Sequence, residues 1–132
     1  MPVVDPSETF IHLDGDGTAT EVPVGPDFWQ TIGQRTDLHD GRLLTGGFTS
    51  ADFPHWEMHP EGEELILASS GAFTLIVEGG ETTPIAAGQI AIVPKGTWHR
   101  LTVQEPGQTV FVTPGKGTQH KPLAVSQAEQ SE

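Results

Sequence analysis

Short runs in which apolar and polar residues alternate, interrupted every few positions by glycine, proline, aspartate or serine, extend along most of this chain. A period of two is the pattern of strands with one face buried, and the breaks between runs carry turn residues. The first runs, Phe10-Ile11-His12-Leu13 and Ala19-Thr20-Glu21-Val22, flank Asp14-Gly15-Asp16-Gly17 and predict a hairpin. Pro26 to Ile32 is the one segment before the tail that predicts a helix, a single turn with Pro26 near its start and Gly33 at its end. From Arg42 the pattern predicts strands at 42–49, 56–59, 64–69, 72–78, 82–85, 90–93, 99–104 and 109–113, in the rhythm of a β-sandwich or barrel. No linker or internal repeat divides them. Residues 1–122 therefore read as one domain, with a hairpin and short helix in 1–40 and the barrel core in 41–114. Residues 123–132 read as a polar tail.

Composition agrees with an all-β reading. The 132 residues include 16 glycines and 11 prolines, scattered rather than clustered, which interrupt helices and suit short strands. There is no cysteine, so disulfides and thiolate metal sites are excluded and any metal must be held by nitrogen and oxygen. A net charge of −12 repels phosphate backbones and anionic membrane surfaces, which argues against nucleic acid and membrane as partners. No basic region followed by an apolar run opens the chain, and nowhere do about 18 apolar residues occur together. A cytoplasmic protein is the expectation.

Chemistry concentrates in His55-Trp56-Glu57-Met58-His59. Residues two apart on a strand share a face, so His55, Glu57 and His59 are placed on one side. The turn Pro60-Glu61-Gly62-Glu63 leads to Glu64, and an antiparallel return would bring that carboxylate beside His59. Glu63 points to the opposite face. A distant segment, Gly88 to His99, combines an apolar strand with the turn Pro94-Lys95-Gly96, which aims His99 at the start of another strand. His12, His39 and His120 have no such partner and read as ordinary surface residues, as does Lys95.

The second segment resembles the second cupin motif, G-x5-P-x-G-x2-H, through Gly88, Pro94, Gly96 and His99. The first resembles the first cupin motif, H-x-H-x3-4-E-x6-G, through His59, Glu64 and Gly71. That resemblance implies an antiparallel double-stranded β-helix, the jelly-roll or cupin barrel, with one divalent metal ion and commonly a homodimer. Two positions depart from the pattern. Glu57 stands where the family has its first histidine, and Val103 where the second motif closes on asparagine. Carried over, the ligands are Glu57, His59, Glu64 and His99, two imidazoles and two carboxylates. This harder donor set suits Mn(II) or Fe(II), with Zn(II) and Ni(II) allowed.

Alternatively Glu57 acts as a catalytic general base or holds a metal-bound water, and His55 takes its place, or the site stays empty. Phe48, Ile66, Ile92 and Phe111 are the apolar residues expected to face inward and line a pocket. The function implied is a metal-dependent enzyme acting on a small organic metabolite, of dioxygenase, isomerase or lyase type. The competing class is a small-ligand-binding or sensing module. A DNA-binding regulator would need a helix-turn-helix segment and a basic face, and neither is present.

Overall fold

A computed structural model describes residues 1–123. Thr9–Leu13 (β1) and Ala19–Pro23 (β2) form the expected hairpin around Asp14 to Gly17. A one-turn helix, Phe28–Thr31 (α1), follows, but Gly33 does not end the helical path. A 3-10 turn runs on through Ile32–Gln34, and a second, absent from the sequence pattern, covers Thr36–Leu38. Then come Arg42–Thr49 (β3), His55–Met58 (β4), Glu64–Ala68 (β5), Ala72–Val77 (β6), Thr82–Ala86 (β7), Ile90–Val93 (β8), His99–Glu105 (β9) and Gly107–Thr113 (β10). A last strand, Gln119–Pro122 (β11), was not predicted. The polar tail from residue 124 onward lies outside the described residues.

The strands pair antiparallel in two sheets, in the orders β2-β1-β3-β10-β5-β8 and β11-β4-β9-β6-β7. This is the expected jelly roll, with the N-terminal hairpin extending the six-stranded sheet. Between the sheets Ile66, Ala68, Phe73, Leu75, Ile85, Val93 and Leu101 form the main core, with Phe53, Val103 and Phe111 packed on it. A second cluster of Phe10, Val22, Phe28, Leu38 and Leu43 lies under the hairpin, where Phe10 meets Phe28 edge to face at 5.1 Å. The motif residue Gly71 shapes the frame at the turn into β6. Gly71 has φ of +81°, and a Cβ there would stand 2.6 Å from the Glu105 carbonyl oxygen, so only glycine fits this turn.

Several expected orientations are corrected. Ile66 and Phe111 face inward, but Ile92 is 60% and Phe48 62% exposed. In β8 it is Ala91 and Val93 that meet the core, and an unbroken apolar run carries no parity signal. In β3 the inward positions are Leu43, Thr45 and Thr49, with Thr49 hydrogen-bonded at 2.7 Å to Thr109 on the neighbouring strand β10. Polar-in and apolar-out reverses the usual code and misplaces Phe48. His12 is buried rather than on the surface, donating from Nε2 to the Asp40 carbonyl oxygen at 2.6 Å. Finally, β5 does not return beside β4 as a hairpin. It belongs to the facing sheet, where Glu64 pairs with Val93.

Leu101, 0% exposed at the centre of the core, should lose about 2–5 kcal/mol of stability as Leu101→Ala. Phe48→Ala on the outer face, 62% exposed, should lose less than about 1 kcal/mol. Urea denaturation of both variants measures this, and equal losses would contradict the inward and outward assignment.

Candidate metal centre

Strand ends bring the four residues singled out in the sequence to one end of the barrel. Glu57 lies near the end of β4 and directly opposite His99 at the start of β9, and His59 follows β4 on the same side as Glu57. Glu64 opens β5 and reaches them from the other sheet. The two motif segments are also joined by backbone. Gly96, with φ of +75°, turns the chain so that its N–H donates to the His59 carbonyl oxygen at 2.9 Å. His55 is not part of the group. It is exposed and its ring packs edge-on against His120, 4.8 Å between centroids. Glu63 and Lys95 are exposed, as expected.

One ligand atom from each of Glu57, His59, Glu64 and His99 lies within 4.8 Å of all the others, and such a group could hold a metal ion. His99 Nε2 is 3.0 Å and His59 Nε2 3.4 Å from Oε1 of Glu64, and His59 Nε2 is 3.6 Å from Oε2 of Glu57. His59, Glu64 and His99 are buried, and Glu57, 23% exposed at its side chain, forms the side open to solvent.

Each of the four has its remaining polar atom held elsewhere. His99 Nδ1 is 2.9 Å from the Thr97 carbonyl oxygen, an acceptor only, so Nδ1 carries the proton. Thr118 donates its one hydroxyl proton to the Gly115 carbonyl oxygen at 2.8 Å and accepts from His59 Nδ1 at 2.9 Å. Thr113 donates to Glu64 Oε2 at 2.6 Å, and His120 Nε2 donates to Glu57 Oε1 at 3.0 Å. With Nδ1 held in this way, both imidazoles turn Nε2 towards the carboxylates, and His99 Nε2 makes a hydrogen bond with Glu64 Oε1 at 3.0 Å. Among the described residues, His59 Nε2 is a buried polar atom without a hydrogen-bond partner. Imidazole nitrogens gathered with carboxylates in a buried space favour a cation among them, and metal-bound histidines commonly hold their other ring nitrogen in this way.

Without a metal the cation is a proton. Burial alone would lower the His59 pKa, but the carboxylates of Glu57 and Glu64, 3.6 and 3.4 Å from Nε2, outweigh it and raise it from 6.5 to about 9. Burial would raise Glu64, yet the adjacent imidazoles of His59 and His99 bring it from 4.5 down to about 2. Glu57 is likewise held below its usual value, with burial opposing and His59 prevailing.

The four central residues are legible in the sequence, whereas those that hold them are not. Thr113 had a faint signal, a polar residue in phase with inward-facing Thr109 and Phe111. His120 and Thr118 had none, because their approach depends on the unpredicted β11. His120, set aside as a surface residue, is half exposed yet bonded to Glu57.

Residues 42–115 match the family model described as "Cupin domain". Among solved structures, a cupin-like protein from Thermotoga maritima superposes with a TM-score of 0.57 at 11% identity, over 95% of this chain and 88% of its own. A conserved protein with a double-stranded β-helix domain from Klebsiella pneumoniae reaches 0.53 at 23% identity, over 62% of this chain and 76% of its own. A cupin-2 domain containing protein from Shewanella frigidimarina reaches 0.50 at 18%, over 55% and 70%. At these identities the likeness is one of fold. No curated protein matches the chain.

The pKa shifts set the pH window of the metal-free protein. His59 binds its proton more tightly folded than unfolded, so its contribution is complete below pH 6.5 and is lost as pH rises through about 9. Glu64 contributes above pH 4.5 and loses that contribution as pH falls towards 2. Denaturation of chelator-treated protein should show greatest stability between these limits, and His59→Gln should flatten the alkaline limb. A wild-type profile level from pH 6.5 to 9 would contradict the assignment.

Proposed function

The chain belongs to the cupin domain family, and from that premise we propose that it is a metal-dependent enzyme acting on a small organic metabolite, with Glu57, His59, Glu64 and His99 holding one divalent ion. The observation that carries this reading is the unpartnered, buried Nε2 of His59 facing two carboxylates. Two imidazoles and two carboxylates fit Mn(II) or Fe(II), with Zn(II) and Ni(II) also compatible. Two negative charges balance a divalent cation. When bound, such an ion supplies Lewis acidity towards a substrate carbonyl or hydroxyl group, or a site for dioxygen.

The protein's own part follows from exposure and hydrogen bonding. His59, His99 and Glu64 are sealed from water, so substrate approaches on the Glu57 side. Glu57 is ionised at neutral pH and one oxygen faces the centre, where it can serve as ligand or accept a substrate proton. The competing reading is a sensing or sequestering module without turnover. It draws on the filled interior around Ile66, Phe73 and Leu101, which confines a ligand to that same side.

Elemental analysis of protein purified without added metal, then reloaded, tests the proposal. Wild type should bind roughly one equivalent of Mn(II), Fe(II), Zn(II) or Ni(II), and His59→Ala and His99→Ala should bind at least roughly tenfold more weakly. Failure of wild type to bind any of the four ends the metal reading. Glu57→Ala with full metal content would leave Glu57 as a base rather than a ligand. Water-proton relaxation of the Mn(II)-loaded protein separates enzyme from module, because turnover needs an exchangeable position and a filled coordination sphere shows no bound water.

The same proposal includes a homodimer. On the outer face of the six-stranded sheet Leu65 pairs with Ile92 and Leu67 with Ile90, giving an exposed apolar stripe without charge. With a net charge of −12, two copies repel over most of their surfaces and approach here at least electrostatic cost. Ile92→Asp should yield a monomer in sedimentation equilibrium while wild type is dimeric. A wild-type monomer, or a dimer unaffected by the substitution, would remove this contact.

A further inference from the structure

The family match ends at residue 115, and the two side chains that brace the ligands of β4 lie beyond it. After Pro114 the chain turns, Thr118 N–H donating to the Gly115 carbonyl oxygen at 3.1 Å, and returns as β11 along β4. The register places His120 directly opposite Glu57. Thr118 accepts from His59 Nδ1, and His120 donates to Glu57 Oε1. β11 also has a tie of its own away from the centre. Lys121 bonds to Glu78 at 2.8 Å and lies 4.3 Å from the Trp98 ring centroid, so the strand stays docked when either bracing contact is cut.

We propose that residues 118–120 form a strap that sets the donor geometry of the metal centre, Thr118 by holding His59 with Nε2 bare and His120 by holding Glu57 to a single inward-facing oxygen. This rests on the metal reading above. Its logic follows from the departure at position 57. An imidazole there would offer one nitrogen in a fixed direction, whereas a carboxylate has two oxygens and can occupy two positions on an ion. With Oε1 held outward by His120, only Oε2 is left for the centre, and a position remains free for substrate. Thr118 acts on the tautomer. Its proton is committed to Gly115, so it can only accept, and a proton on His59 Nε2 would leave Nδ1 facing an oxygen with no hydrogen between them. Both are positioning residues, since neither belongs to the four-residue cluster. An exposed pair such as His120 with Glu57 adds little to folding stability, so its loss should be read in the metal rather than in the fold.

Co(II) titration of the full chain, followed by calorimetry and visible absorption, tests the strap. Thr118→Val should weaken Co(II) binding roughly tenfold to a hundredfold, and Thr118→Ser should restore it. His120→Ala should weaken binding and change the Co(II) spectrum as Glu57 closes on the ion with both oxygens, and His120→Gln, which keeps a donor, should restore the wild-type spectrum. All four should melt within a few degrees of wild type without metal. If wild type binds Co(II) and both Thr118→Val and His120→Ala bind it equally well with the same spectrum, the strap is overturned while the metal reading stands. If wild type binds no metal, the metal reading fails and the strap, which rests on it, fails with it.

Discussion

Two imidazole nitrogens and two carboxylate oxygens converge at one end of this barrel, in a space where three of the four residues are shut away from water. Such a group is unfavourable unless positive charge sits among it, because burial strips the carboxylates of solvation and leaves the lone pairs without donors. The upward displacement of His59 and the downward displacement of Glu64 are two views of that demand, met by a proton when nothing else is bound. A bound cation would meet the same demand.

The barrel exists around this end as much as around its core. Glu57 and His99 face each other across neighbouring strands of one sheet, and Glu64 comes from the other, so the sheets must pack at the right separation for the four to meet. That separation is set by Ile66, Leu75, Val93 and Leu101, filling the space behind the site. Thr97, Thr113, Thr118 and His120 then take up the outward atom of each ligand residue, which fixes direction as well as distance. Preorganisation of this kind lets four residues on separate elements act as one binding group.

Glu57 gives the centre its individual character. It replaces the histidine of the family pattern, adds a negative charge, remains the most open of the four and brings a second oxygen that must be managed. The neighbour that manages it is His120, on a strand outside the family match. Edge strand β11 is therefore more than a cover for β4. It joins the part of the chain that resembles other cupins to a part that adjusts this one.

Alternation, turn residues and two spaced motifs were enough to read eight of the barrel strands, the jelly roll and the four central residues, because those features are local or repeat at fixed spacing. The run Ile90 to Val93 shows where local information stops. Four apolar residues in succession have no parity, and only packing against β5 decided that Val93 turns inward and Ile92 outward. Phe48 and Thr49 go further, since hydrogen bonding between Thr49 and Thr109 inside the barrel inverted the polarity that local pattern assumes. Gln119 to Pro122 carry almost no apolar signal of their own, and become a strand because β4 offers an unpaired edge. The sequence by itself determined which residues can bind a cation and which barrel carries them. Tertiary structure alone decided which ring nitrogens and which oxygen of Glu57 face the centre, because both depend on hydrogen-bond partners up to 63 residues away.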